Sequence, residues 1–201
     1  MTRIAHLSTY SPAPRHCRAC LLLLLLLLPM LVAAAPIELE GHTYPDTVTI
    51  GDQPLQRVGV ALFKYKRLFK LNTAGLYLEK AEDRDRVLSG EVPLQLDLTY
   101  CRALKREVFI DTAANYMARN VNVQELEAVA EDVKKINSWF KPVVENDCYS
   151  LTYFPGTGTR LALNGDILGT IPGPAFVKAY LTIWLGEESI GKGFTNELLG
   201  K

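Results

Sequence analysis

The sequence predicts an α+β domain of antiparallel strands and helices, on three observations. First, "VPLQLDLTY" (residues 92–100) alternates Val92, Leu94, Leu96 and Leu98 with Pro93, Gln95, Asp97 and Thr99. A period of two marks a strand with one buried face. Second, "NVQELEAVAEDVKKINSWFK" returns Leu126, Val129, Val133, Ile136 and Phe140 every three or four residues, the period of an amphipathic helix. Third, "RLALNGDILGTI" places Asn164-Gly165 between two strand-like runs, a strong two-residue hairpin signal.

The N-terminus stands apart from that domain. Residues 1–20 carry Arg3, Arg15 and Arg18 and no acidic residue, Leu21 to Leu28 form an unbroken apolar run, and "PMLVAAAP" follows. A basic start, a short apolar centre and small residues after it predict a secretory signal peptide over residues 1–35, cleaved near Ala34 or Ala35. The run is too short and too proline-broken for a comfortable membrane span. Residues 36–201 then form one domain, periplasmic or secreted, with three fewer basic than acidic residues. That balance gives no electrostatic reason to expect nucleic acid.

Within the domain, "TVTIGDQPLQRVGVALF" reads as two strands around a Gly-Asp turn, and "RLFKLNTAGLYLEK" as a third. Gly75 weakens the interior of that third strand unless something packs closely there. "DRDRVLSGE" reads as a short solvated helix or loop anchored by Val87 and Leu88. After the strand at 92–100, "LKREVFIDTAANYMARN" gathers Phe109, Ala113, Tyr116 and Met117 on one helical face. Asn122 and Glu125 form a capping-box pattern that starts the next helix near Val123, and Pro142 ends it. "CYSLTYF" and the two arms of the Asn164-Gly165 hairpin make three antiparallel strands. Pro174 begins a last long helix carrying Phe176, Tyr180, Ile183 and Trp184 inward, stopped at Gly186. "IGKGFTNELLGK" adds a short terminal helix.

The chemistry-bearing patterns are few. "PGTGTR" (155–160) looks like a phosphate cradle, but it leads into an extended segment, not a helix N-terminus, so its glycines read as turn residues. His42, Cys101 and Cys148 are the His and Cys residues beyond residue 35, too few and too scattered for a usual zinc site, and no metal or cofactor is expected. In an exported protein Cys101 and Cys148 are a candidate disulfide. "KYKR", Lys64 to Arg67, reads either as an edge strand guarded by charge or as a contact for a ligand carboxylate.

The run "GTRLALNGDILGTIPGPAFVKAYLTIWLGEESI" resembles the C-terminal part of bacterial chalcone isomerase-like proteins, and "KLNTAGLYLEKA" is similar to a strand of that family. The likeness spans about residues 55–200. It implies the chalcone isomerase fold, an open-faced β-sandwich: a curved antiparallel sheet covered on one face by helices, with a ligand cleft between the layers. The family's plant enzymes close a flavonoid ring, using an early-strand arginine to steady negative charge and a helix tyrosine to order the ketone and water. Where the arginine is implied, this chain has Lys64, Lys66 and Arg67. Where the tyrosine is implied it has Glu107, Val108 and Phe109. Asn115 matches the helix asparagine if Val108 takes the tyrosine position, with Tyr116 competing for that face. The strand threonine falls on Asn72 or Thr73.

These departures favour a non-catalytic reading. A small amphipathic carboxylate such as a fatty acid lies in the cleft, with Lys64, Lys66 or Arg67 at its head and Asn72, Thr73, Asn115 and Tyr116 around it. An altered isomerase and a ligand-free interaction module stand as the alternatives.

Overall fold

The computed structural model describes residues 35–201. Except for Ala35, the segment read as a signal peptide lies outside the described residues. Seven strands form one antiparallel sheet in chain order: β3 (Thr47–Ile50), β4 (Gln53–Tyr65), β5 (Phe69–Leu78), β6 (Leu94–Tyr100), β7 (Cys148–Phe154), β8 (Gly158–Leu163) and β9 (Asp166–Ile171). Each strand pairs with the next, so no crossover is needed. Register shifts at Arg57/Gly59, Phe63/Lys64 and Leu161/Ala162 leave Val58, Leu71 and Leu168 as extra residues, bulges that bend β4, β5 and β9 and help curl the sheet.

The row predicted to be buried, Leu94, Leu96 and Leu98, faces the helices and is at most 6% exposed. Burying a leucine this fully contributes about 1.5–3 kcal/mol. Cross-strand partners Leu78, Leu76 and Ala74 on β5, and Tyr153, Leu151 and Tyr149 on β7, continue the same dry surface.

Helix α1 (Arg106–Asn120) follows β6, then α2 (Val123–Ala128) and α3 (Ala130–Trp139). This excursion from the sheet is closed at its neck by a two-bond bridge: the Leu104 N–H donates to Val143 O, and the Val143 N–H donates to Leu104 O, both at 3.0 Å. The capping box forms as expected: the Glu125 N–H donates to Asn122 Oδ1 at 2.9 Å, and the Asn122 N–H donates to Glu125 Oε2 at 3.3 Å. The expected single second helix breaks at Val129, whose ψ of 6° ends α2. The break lets α2 face the helices that follow β9 while α3 lies on β9 itself. There Trp139 packs where a side chain at Gly169 would otherwise stand.

After β9, α4 (Pro174–Tyr180) and α5 (Thr182–Leu185) replace the one helix expected. They part at Leu181, beside Thr182, whose hydroxyl donates back to Ala179 O at 2.6 Å. A last helix, α6 (Lys192–Leu198), lies against β4. No helix among the described residues is long and apolar enough to cross a membrane.

The sheet's other face is covered too, which the sequence reading did not anticipate. A hairpin of β1 (Ile37–Leu39) and β2 (His42–Tyr44) lays Tyr44 over the sheet, in a second apolar cluster with Leu55 and Tyr77. Arg57 holds the hairpin by donating to the carbonyls of Tyr44 and Ala35. The Tyr44 and Thr73 hydroxyls are 2.6 Å apart, and burial pushes the Tyr44 phenol up to about 12. Gly75 is the close approach that its place in a strand suggested. A Cβ there would stand 2.5 Å from Tyr44 Cδ1 and 3.2 Å from Tyr77 Cε2. Gly75→Ala is therefore expected to cost about 1–3 kcal/mol by overpacking, read as a lower urea midpoint with an unchanged slope.

Candidate functional site

Between the curled sheet and the helices lies a cavity of about 500 Å³. Its floor is the helix-facing row of the sheet: Phe63 and Tyr65 from β4, Leu71 and Asn72 from β5, Leu98 and Tyr100 from β6, then Leu151 and Leu161 from β7 and β8. Its roof is α1, through Val108, Phe109, Thr112, Ala113 and Tyr116, together with Tyr180, Ile183 and Trp184 from α4 and α5. Tyr65, Val108, Asp111 and Asn115 are exposed lining residues and mark the mouth, between the end of β4 and the first turns of α1.

One wall is a rigid aromatic block. Phe109, Phe140, Tyr100 and Tyr149 meet at ring-centroid distances of 5.2–6.1 Å, three of the contacts edge to face. The Tyr149 hydroxyl is already engaged: it donates to Lys141 O at 3.1 Å and accepts from the Lys141 N–H at 2.8 Å. Two other phenols differ. Tyr100 is 5% exposed and Tyr180 2%. Neither hydroxyl makes a hydrogen bond to a described residue, and neither is sealed from the space beside it. Burial pushes both phenols well up, so both remain protonated donors.

The residues anticipated for the site separate into three groups. Asn72, Asn115 and Tyr116 line the cavity. Asn72 is 7% exposed, and its side-chain amide donates to Thr73 O at 3.3 Å. The Arg119 guanidinium lies 4.9 Å from the centre of the Tyr116 ring. Thr73 points to the opposite face, where its hydroxyl is shared between Tyr44 and His42 Nδ1, each at 2.6 Å. The alternation of β5 decides this: Asn72 pairs with Tyr100 on the cavity side, and Thr73 pairs with Thr99 on the other.

Lys64, Lys66 and Arg67 do not line the cavity. They stand at the end of β4 that β3 does not reach, since β3 pairs only with residues 53–56. They form the end of the β4–β5 hairpin. Lys66 and Arg67 occupy its turn with left-handed φ of 50° and 61°, and the Leu68 N–H donates back to Tyr65 O at 3.2 Å. Lys64 pairs with Lys70 between the cavity-facing Phe63 and Tyr65, which turns it away from the cavity. Among the described residues, no lysine or arginine contributes to the lining, and Asp111 is its one charged residue.

"PGTGTR" is the turn between β7 and β8, as its extended continuation suggested, with Arg160 on a strand. Asn164-Gly165, both at positive φ, makes the next turn. Cys101 and Cys148 are free thiols, which corrects the candidate disulfide. Cys148 pairs across with Thr99, leaving Cys101 on the diagonal. Diagonal neighbours lie about 7–8 Å apart, beyond the usual reach of a bridge.

Residues 35–200 match the chalcone isomerase-like family, and the chain belongs to it. No curated protein sequence matches the chain. Among solved structures, it is similar to the crystal structure of a fatty-acid binding protein from Arabidopsis thaliana. The TM-score is 0.65 at 16% identity, covering 82% of this chain and 96% of that one. That likeness is one of fold, and it joins the same curled sheet to the same helical layer.

The free thiols yield a direct check. Alkylation of the unfolded domain without reductant is expected to add two labels by mass, Cys101 and Cys148; an unlabelled species would restore the bridge.

Proposed function

We propose that this protein binds a small hydrophobic or amphipathic molecule in the cavity and does no chemistry on it. The observation that carries this reading is the cavity itself: a preformed, mostly apolar space of about 500 Å³ with a polar mouth. That is within the range of small-molecule sites, about 300–1,000 Å³. The fatty-acid binding protein of the same fold supports a long-chain ligand, of which a fatty acid is the simplest. The lining supports binding over ring closure. Stabilising an oxyanion in such a site calls for strong, pre-aimed donors, usually with a cation, and the lining supplies phenols and amides but no lysine or arginine.

Delipidated domain is expected to bind at least one of a series of long-chain fatty acids, alcohols and ketones saturably in calorimetry. Thr112→Trp, which places a large ring at a half-buried lining position near the mouth, should abolish that heat while leaving the unfolding midpoint nearly unchanged. A series without saturable heat removes the proposal.

The basic and apolar N-terminus adds export to this reading, with the domain working in the periplasm or outside the cell. N-terminal sequencing of protein from the extracytoplasmic fraction should begin near Pro36. Recovery of Met1 from the cytoplasm alone would defeat it.

A further inference from the structure

We infer that the cavity selects ligands with an uncharged, hydrogen-bond-accepting head group, held inside by the hydroxyls of Tyr100 and Tyr180. Acceptable heads are an alcohol, a ketone, an ester or a protonated acid, and a carboxylate is excluded. The inference rests on the binding proposal above and sharpens it to a ligand class.

Three observations meet here. Tyr100 on β6 and Tyr180 at the end of α4 present phenols from opposite walls of one cavity. Both residues are more than nine-tenths buried, and neither hydroxyl has a hydrogen-bond partner among the described residues or is sealed from the cavity. A polar group in an apolar setting is stabilised by a partner, so two unpartnered phenols beside a ligand-sized space are placed to receive one. The third observation is charge. A carboxylate taken into an apolar cavity needs a cation or several strong donors to offset its lost hydration. The basic residues of the β4–β5 hairpin point elsewhere, and the one charged lining group, Asp111, repels an anion.

The remaining titratable lining groups are Tyr65 on β4, Tyr116 on α1 and Tyr149 on β7. None is a cation at any pH. His42 lies on the opposite face of the sheet, bonded to Thr73. Between pH 5.5 and 8 the ligand's own ionisation is therefore what changes binding.

Decanol and decanoic acid can be titrated into the delipidated domain over that range, followed by fluorescence of Trp184, which lines the cavity. Decanol affinity is expected to stay flat. Decanoic acid should lose affinity toward tenfold per unit of pH, because only the protonated acid enters. Tyr100→Phe and Tyr180→Phe remove one hydroxyl each and little volume. Each should weaken decanol about fivefold, and Lys64→Gln, outside the cavity, should not. Decanoate binding that holds constant with pH, or decanol binding that neither Phe variant weakens, overturns the head-group assignment while leaving the cavity a binding site. If neither compound nor any longer homologue binds at any pH, the cavity proposal falls, and this inference with it.

Discussion

The structure depends on one constraint: β5, inside a single curled sheet, must be dry on both faces. β5 and β6 carry Leu76, Leu78, Leu94 and Leu96 toward the helices, and all four are fully buried. β5 carries Thr73, Gly75 and Tyr77 the other way, under the β1–β2 hairpin. Neither cover is optional. The helices alone would leave Tyr77 and Leu55 in water, and the hairpin alone would expose the long leucine row. Curvature then leaves a gap where the helical layer cannot follow the sheet, and that gap is the cavity.

Charge is distributed in keeping with this. Most acidic and basic side chains of the helices face outward, and the basic hairpin end lies outside the cavity lining. Past Asp111 at the mouth, the interior is neutral: apolar walls, a carboxamide at Asn72 and phenols at Tyr100 and Tyr180. Such a lining is well suited to holding a molecule in place. It is poorly suited to steadying charge that develops during a reaction, because a neutral donor does less for an oxyanion than a charge-assisted one.

Most of the fold was legible because its signals are local and periodic. The alternation through Leu94, Leu96 and Leu98, the Asn122 cap and the Asn164-Gly165 turn each require only a few neighbouring residues to read. The two helix breaks were hidden because helical spacing continues smoothly through Val129 and Leu181; only packing shows the change of direction. The β1–β2 hairpin was missed because its strands have three residues each, too short for a periodic signal. The site was less legible than the fold. Asn72, Asn115 and Tyr116 reach the cavity, but a one-residue step separates Asn72 from Thr73 on the opposite face. Lys64, Lys66 and Arg67 attracted notice by charge, whereas their turn geometry sets their direction. Tyr100 extends the phase of Leu94, Leu96 and Leu98, so its inward direction was readable. Its unpartnered hydroxyl was not, since hydrogen-bond satisfaction is a property of three-dimensional neighbours. Tyr180 was read as inward-facing core for the same reason.

The paired bonds between Leu104 and Val143 make the excursion carrying α1, α2 and α3 a self-contained insertion between two strands. Its two ends are pinned side by side at the ends of β6 and β7, so residues can be gained or lost inside it without moving the register of any strand. Most of the cavity roof belongs to this excursion, whereas the floor belongs to the sheet. Capacity and mouth shape can therefore drift among relatives while the scaffold stays fixed. Insertions between residues 105 and 142 are where differences in ligand size should accumulate.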